Sequence, residues 1–287
     1  MLVTGANSGL GKQVATYFAA KHAHVYMLCR SPERAATARD EILAATKADP
    51  ALVEIIPVDV GELDQVRKAV AEYLQSVPAV DAVVCNAGVL LNEKRTTSTG
   101  VEQTFASHLL GGTYLLTELL LPKLQAAEGR GRVVVVTSGG MYNSPIPSWD
   151  VMTNTGDAAK SYDGTMAYTY AKRGQVVLCE EWTKHHPDVD FVTVHPGWSD
   201  TPAVEEAFGD SKKYLEPMRE PWQGAEGVTW CASTKEPLES GALYLDRSTQ
   251  PKHIAGAFMT EGKFTKNTAE EVEEFLLRIK EAAEPSR

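Results

Sequence analysis

Short apolar runs recur along this 287-residue chain, and amphipathic stretches separate them. "HVYMLC", "VEIIPV", "DAVVCNAG", "RVVVVTS", "FVTVHPG" and "GALYL" read as strands. Helices are expected near Pro32–Thr46, Asp64–Ser76, Val101–Leu121 and Met166–His185. A last helix is expected in "TAEEVEEFLLRIKEAAE", with Phe275, Leu276 and Ile279 on one side. Strands apolar along their whole length are buried on both faces, and parallel neighbours need a crossover helix. Regular alternation therefore dictates βαβ units of one hand, with helices on both faces of a parallel sheet. The expected fold class is α/β, doubly wound. The chain shows no repeat, low-complexity tract or linker, so residues 1–287 are expected to form a single domain.

The first strand is the weak point of that pattern. "MLVTGANSGLGKQVATYF" offers only Met1, Leu2 and Val3 before a glycine-rich turn and a helix. Strands usually run about 5–6 residues. Either this strand is stunted or the start lies upstream, where an anchor or targeting segment could also be encoded.

The turn itself, "TGANSGLG", spaces Gly5, Gly9 and Gly11 between a strand and a helix. Small residues let the backbone approach a pyrophosphate, and the helix N-terminus supplies free N–H groups and a positive dipole. Gly5, Asn7, Ser8, Gly9, Leu10 and Gly11 are the candidate contacts of a dinucleotide, in a Rossmann-like sheet. An acid at the end of the next strand suits a ribose 2′-hydroxyl, and an arginine suits a 2′-phosphate. "CRSPER" offers Arg30 and Arg34 and no acid at the strand end. A planar guanidinium matches phosphate, which favours NADP over NAD. Asp59 ends the third strand, with Val60 beside it. Asp59 is placed to accept from an adenine amino group or, equally, to cap the helix that follows.

"TGANSGLG", "NAG", "VVTSGG", "YTYAK" and "HPGW" stand in the order of the short-chain dehydrogenase/reductase family. The chain resembles that family over nearly its whole length, and "CR" after the second strand is similar to the retinol-dehydrogenase-like branch. The resemblance implies an enzyme acting on CH–OH donors through Ser138, Tyr168 and Lys172. It adds Asn86, Ala87, Gly88, Pro196, Gly197 and Thr201 to the cofactor contacts, with Thr201 on the nicotinamide amide. Tyr168 and Lys172 are also expected to meet the cofactor.

"YTYAK" holds two tyrosines, and helix geometry separates them. Positions i and i+4 share a face, while i+2 points away. Tyr168 faces Lys172; Tyr170 would need a lysine at Gly174. A phenol ordinarily titrates near ~10, and a neighbouring ammonium is expected to lower Tyr168 toward a range useful for proton transfer. Lys172 also holds the nicotinamide ribose, by resemblance. Ser138 would bond the substrate oxygen. Pro196 and Gly197 turn the chain across the cofactor, and His195 reads as a strand-end residue.

Two features depart from the family pattern. The family places an asparagine in the helix after the fourth strand, where this chain has Ser107 or His108, and "LLGGTY" runs one residue longer than usual. The stretch from Ser138 to Tyr168 is also long. Its Tyr142, Trp149 and Met152 would roof an apolar pocket or pack on one another. Residues 203–222 are expected to form a substrate lid.

Composition limits the remaining classes. There are 28 basic and 38 acidic residues, a net charge of −10. That excludes the basic stripe of a nucleic-acid binder. Cys29, Cys85, Cys179 and Cys231 form no CxxC pair and read as reduced thiols, which suggests a cytoplasmic location. His22, His24, His185 and His186 lack companions at ligand spacing, so no metal site is expected. No run reaches the ~18 apolar residues of a membrane span. The expected partner is a small carbonyl or alcohol substrate. By analogy, two chains could pair through the fourth and fifth helices as a homodimer. A second functional reading is a cofactor-binding regulatory protein with little turnover, suggested by the missing asparagine and short first strand.

Overall fold

The computed structural model describes residues 1–255 and 261–285. Eight strands form one sheet in the order β3-β2-β1-β4-β5-β6-β7-β8. They are β1 Leu2–Thr4, β2 Val25–Cys29, β3 Val53–Pro57, β4 Ala82–Cys85, β5 Gly131–Val136, β6 Val189–Val194, β7 Leu243–Leu245 and β8 Ser248–Gln250. All pairs are parallel except β7 with β8. The antiparallel β8, exposed at the sheet edge, is an element the sequence reading lacks. Its residues, "STQ", are polar and carry no apolar signature.

β1 is indeed three residues long, and all three are buried. It pairs with β2 on one side and β4 on the other. The strand order reverses there, since the chain builds outward from β1 to β3 and returns to β4. Such a switch point opens a crevice at the carboxyl ends of the strands.

Successive side chains of a strand point to opposite faces, and here they feed two cores. Leu2, Leu28, Val83, Cys85, Val133 and Val135 enter one, with the helical elements that follow β3, β4 and β5. Val3, Met27, Val84, Val134 and Val192 enter the other. That second core is closed by α1 (Gly9–Ala20), α2 (Pro32–Thr46) and α9 (Pro221–Ser233).

The first core holds α3 (Leu63–Tyr73) and one long helical rod. The rod starts as α4 (Gln103–Phe105), widens to a π-helix at Ala106–Leu115 and ends as α5 (Leu116–Gln125). A π-helix carries one more residue per hydrogen-bonded turn than an α-helix, so the extra residue in "LLGGTY" has a place inside the rod. Glycines make room for it: a Cβ on Gly111 would fall 2.0 Å from the Val60 carbonyl oxygen. Glu102, buried, starts the rod by accepting from Thr104 N at 2.8 Å and Phe105 N at 2.7 Å. The Tyr162 hydroxyl donates to the same carboxylate at 2.9 Å and ties the long loop to it.

That loop contains α6 (Trp149–Thr153) and leads into α7 (Gly164–His185). α8 (Pro202–Phe208) and the 3-10 turn Gly209–Leu215 lie in the expected lid. α10 (Ala269–Ala282) opens with a full capping box on Thr268 and buries Phe275 and Ile279. Phe275 reaches the backbone of α7, where a Cβ on Gly174 would meet it at 3.4 Å. Among the described residues, no helix is long and apolar enough to cross a membrane.

Candidate active site

The glycine turn folds tightly under the carboxyl end of β1. Gly5 and Gly9 have φ of +66° and +50°, a region that favours glycine. Gly11 must lack a side chain, because a Cβ there would lie 2.4 Å from the Gly5 carbonyl oxygen. Ser8 is the N-cap of α1 but makes no side-chain cap. The first N–H groups of α1 thus remain available to an anion. Asn7 and Ala6 direct backbone N–H groups at Cys29, whose thiol burial pushes up to about 11. The Leu10 side chain turns toward Gly224 of α9, so only its backbone can serve a nucleotide. These features fit the diphosphate of a dinucleotide.

Thr4 organises the neighbouring loop, and sequence reasoning missed it. Its Oγ1 accepts from Asn86 N at 2.9 Å and Ala87 N at 2.8 Å, and the Asn86 amide donates to the Thr4 carbonyl at 2.9 Å. The signal was present, since a threonine ends β1 directly before the glycine turn. Gly5 and Ala87 then touch: a Cβ on Gly5 would stand 3.1 Å from Ala87 Cα.

Arg30 is 67% exposed at the end of β2, with Nη1 3.7 Å from Asp59 Oδ2. Asp59 Oδ1 accepts from Gly61 N at 2.9 Å, inside the turn before α3, whose N-cap is Glu62, so Asp59 does not cap that helix. Arg34 donates its backbone N–H to Ser31 Oγ at 3.3 Å, inside the cap of α2. Val60 is buried beneath Gly111 and Gly112.

β5 delivers Thr137 and Ser138 to the same edge of the sheet. Thr137 is committed to structure, donating from Oγ1 to the Lys172 carbonyl at 3.1 Å. Ser138 accepts from Gly140 N at 3.1 Å and keeps its hydroxyl proton to give. A Cβ on Gly140 would sit 3.5 Å from both Ser138 Oγ and Tyr168 Cε1, so both groups face one spot. Lys172 lies behind the tyrosine, its Nζ 5.4 Å from the ring centroid. Tyr170 instead packs at the edge of the first core, where burial and then Asp163 raise its pKa.

The electrostatics correct one expectation. Burial raises the Tyr168 pKa, and the group that pulls it down is Ser138 rather than Lys172. The Lys172 ammonium donates to the Val136 carbonyl at 2.6 Å, and its burial brings it down to about 7. Between about pH 7 and 10.5 the unfolded chain holds this proton and the folded chain sheds it. The fold therefore gains stability from this residue as pH rises through that window. Lys172→Met is expected to melt above the parent at pH 7, with the gap closing toward pH 10. Calorimetry across that range checks it; a pH-independent gap would contradict the depressed lysine.

His108, not Ser107, reaches Tyr168. Its ring meets that of Tyr168 edge-on, centroids 5.2 Å apart at 90°. Ser107 Oγ instead accepts from Gln103 Nε2 at 2.7 Å, near Gly61. His195 is a strand-end residue, its N–H donating to the Tyr244 carbonyl at 2.8 Å. Burial, then Arg219, hold its pKa down at about 4. Gly197 has φ +71° and lies under the Arg219 side chain, which pairs with Asp246 at 2.6 and 2.8 Å. After Pro196 and Gly197 the loop brings Thr201 to the glycine turn, where a Cβ on Gly9 would touch it at 3.3 Å. Thr201 also caps α8.

Beyond the Ser138–Tyr168–Lys172 cluster, Arg173 is fully buried and points away from it. It donates to the Lys252 carbonyl at 2.9 Å and bonds the His253 ring at 3.1 Å. Among the described residues no group of three or more His, Cys, Asp or Glu is arranged to hold a metal ion. The four cysteines are buried and unpaired.

A doubly wound sheet whose switch point carries a dinucleotide cradle, with a Ser, Tyr and Lys beside it, defines a class. The chain belongs to the short chain dehydrogenase family, whose model matches residues 1–212. It is an NAD(P)-dependent oxidoreductase of that family. "VTSGGM", "DGTMAYTYAKRGQVVL" and "HPGWSDTP" look like dehydrogenase/reductase SDR family member 12, and the likeness extends along the chain. The Homo sapiens protein of that name is 35% identical over 256 residues, 88% of this chain and 78% of that one. Retinol dehydrogenase 12 of Bos taurus is 30% identical over 253 residues, 86% of this chain and 77% of the other. In fold, the chain is similar to a short-chain type dehydrogenase/reductase from Mycobacterium marinum. Their TM-score is 0.68 at 22% identity, over 84% of this chain and 91% of that one.

Proposed function

We propose that this chain is an NADP-dependent oxidoreductase that interconverts a hydrophobic alcohol and its ketone or aldehyde. The observation that carries the reading is the shared spot at Gly140, faced by Ser138 Oγ and the Tyr168 ring with Lys172 behind. Bound, the nicotinamide supplies or takes the hydride. The protein does the rest. Ser138 donates to the substrate oxygen and holds it in place. Tyr168 delivers a proton to that oxygen in reduction and removes it in oxidation. Lys172, released from the Val136 carbonyl, offsets the charge that grows on the phenol.

Gly5, Asn7, Ser8, Gly9, Leu10 and Gly11 would hold the diphosphate through backbone groups. Asn86, Ala87 and Gly88 would line the ribose side, and Pro196, Gly197 and Thr201 the nicotinamide. Asp59 and Val60 would border the adenine, and Arg30 would take the 2′-phosphate. Residues 203–222 would close as the lid. Lys212 ties it to Asp200 at 2.6 Å and bridges Glu205 at 2.8 Å, and its Phe208 packs edge-on against Trp198 before it. One domain, 1–287, would carry all of this. Four buried thiols suit a cytoplasmic place. A homodimer through α5 and α7 would have to accommodate α10, which lies over Gly174.

The cofactor assignment is tested by titrating the protein with NADPH and NADH. NADPH is expected to bind at least ~10-fold more tightly, about 1.4 kcal/mol. Arg30→Asp should erase that preference by weakening NADPH alone. Unchanged NADPH binding in the variant would remove Arg30 from the site.

A further inference from the structure

His108 is a buried polar residue, 3% exposed, in the first turn of the π-helical segment. Its surroundings are unusually confined. Nε2 lies 2.8 Å from Val89 N and 2.7 Å from Val89 O, so it can accept from or donate to the backbone of that one residue in either neutral tautomer. The ring fills the space above Gly88, where a Cβ would fall 1.8 Å from His108 Cε1. On a third side it stands edge-on to the Tyr168 ring. Its backbone is pinned as well. The His108 carbonyl accepts from Thr113 Oγ1 at 2.6 Å and from Gln175 Nε2 at 2.8 Å. Gln175 lies three residues beyond Lys172 on α7, so the catalytic helix itself fixes this carbonyl.

Nδ1 is buried and has no partner. Leaving it so costs free energy, and a leucine would fill the space without that cost. Burial, then the Lys172 charge, hold the imidazole well below its usual pKa, so it is neutral. Packing alone does not account for a neutral, half-satisfied imidazole against the catalytic phenol.

We infer that His108 is a positioning residue for Tyr168: clamped to the Val89 peptide and to α7, its ring is the wall that fixes the phenol beside Ser138. This rests on the reading of Tyr168 as the proton donor. Within the π-helix His108 turns toward Gly88 and Tyr168 while Ser107 turns away, toward Gln103 and Gly61. His108 touches neither substrate nor hydride in this role; it acts through the tyrosine.

Three variants separate the wall from the filler. His108→Leu keeps the volume and loses the clamp. It is expected to lower kcat by about 10²-fold, with KM, NADPH affinity and melting temperature near the parent's. His108→Gln places an amide where Nε2 was and should recover most of that loss. His108→Phe keeps a ring without the clamp and should behave like the leucine variant. Parent-like kcat in His108→Leu overturns the inference, as does a loss that tracks melting temperature across all three.

A second readout does not need turnover. With ring-labelled tyrosine, NMR should show two distinct edge signals for Tyr168, assigned by Tyr168→Phe, because its flips are slow. They should average in His108→Leu and separate again in His108→Gln. Averaged signals in the parent overturn the inference. An idle parent with separate edge signals would count against the Tyr168 reading alone.

Discussion

Tyr168→Phe is expected to remove turnover, by about 10³-fold or more in kcat, and to leave NADPH binding within about twofold. The substitution deletes one oxygen. The ring stays edge-on to His108, and Lys172 keeps its bond to the Val136 carbonyl. What disappears is the phenol hydroxyl whose ring faces Ser138 across Gly140 with Lys172 behind it. Ser138 cannot replace it, because an aliphatic hydroxyl gives up its proton far less readily than a phenol. The measurement is NADPH consumption on a panel of apolar ketones and aldehydes, with binding followed by calorimetry. Retained turnover would place the proton source elsewhere. A parent that binds NADPH and reduces nothing would instead support a nucleotide-binding regulatory protein.

Gly11→Ala has the second large effect, on binding rather than on chemistry. The added methyl would lie 2.4 Å from the Gly5 carbonyl oxygen and 2.5 Å from the Asn86 amide nitrogen. A side chain can rotate away from a clash, but a backbone carbonyl at the end of a central strand cannot. Relief requires moving α1 off β1, which tilts the N-terminal N–H groups away from the diphosphate. NADPH affinity is expected to fall by about 10²-fold or more, and stability by about 1–3 kcal/mol as for other overpacked sites. Titration and thermal melting read both. Parent-like binding would mean that the diphosphate lies off the α1 N-terminus.

The two predictions differ in how far sequence alone led to them. Tyr168, Lys172 and Ser138 were legible through the resemblance to the family, with i, i+4 spacing choosing Tyr168 over Tyr170; the structure brings Ser138 and Tyr168 to one spot at Gly140, with Lys172 Nζ 5.4 Å from the tyrosine ring centroid. The sheet was legible for a different reason: buried parallel strands carry dense apolar runs. β8 escaped because an exposed edge strand needs no apolar residues. Thr4 escaped because its role is to receive backbone N–H groups from a segment 82 and 83 residues away. Nothing local marks such a partner. The lysine's effect on Tyr168 was misjudged because spacing gives a shared face but not where an ammonium points. Lys172 turns to a backbone carbonyl. The choice between Ser107 and His108 needed the π-helix, since an α-helical and a π-helical register aim the same residue differently.

Arg173 carries a practical message for anyone who wishes to shorten this protein. It is the residue next to Lys172, yet its guanidinium is spent on the carbonyl of Lys252 and the ring of His253. Phe275 presses on the following residue, Gly174. The segment after β8 is thus tied to α7 at two consecutive positions. Residues that look dispensable by their distance from the nucleotide cradle brace the back of α7, directly after Lys172. Trimming them would be read out first as lost precision at Lys172, before any loss of the sheet.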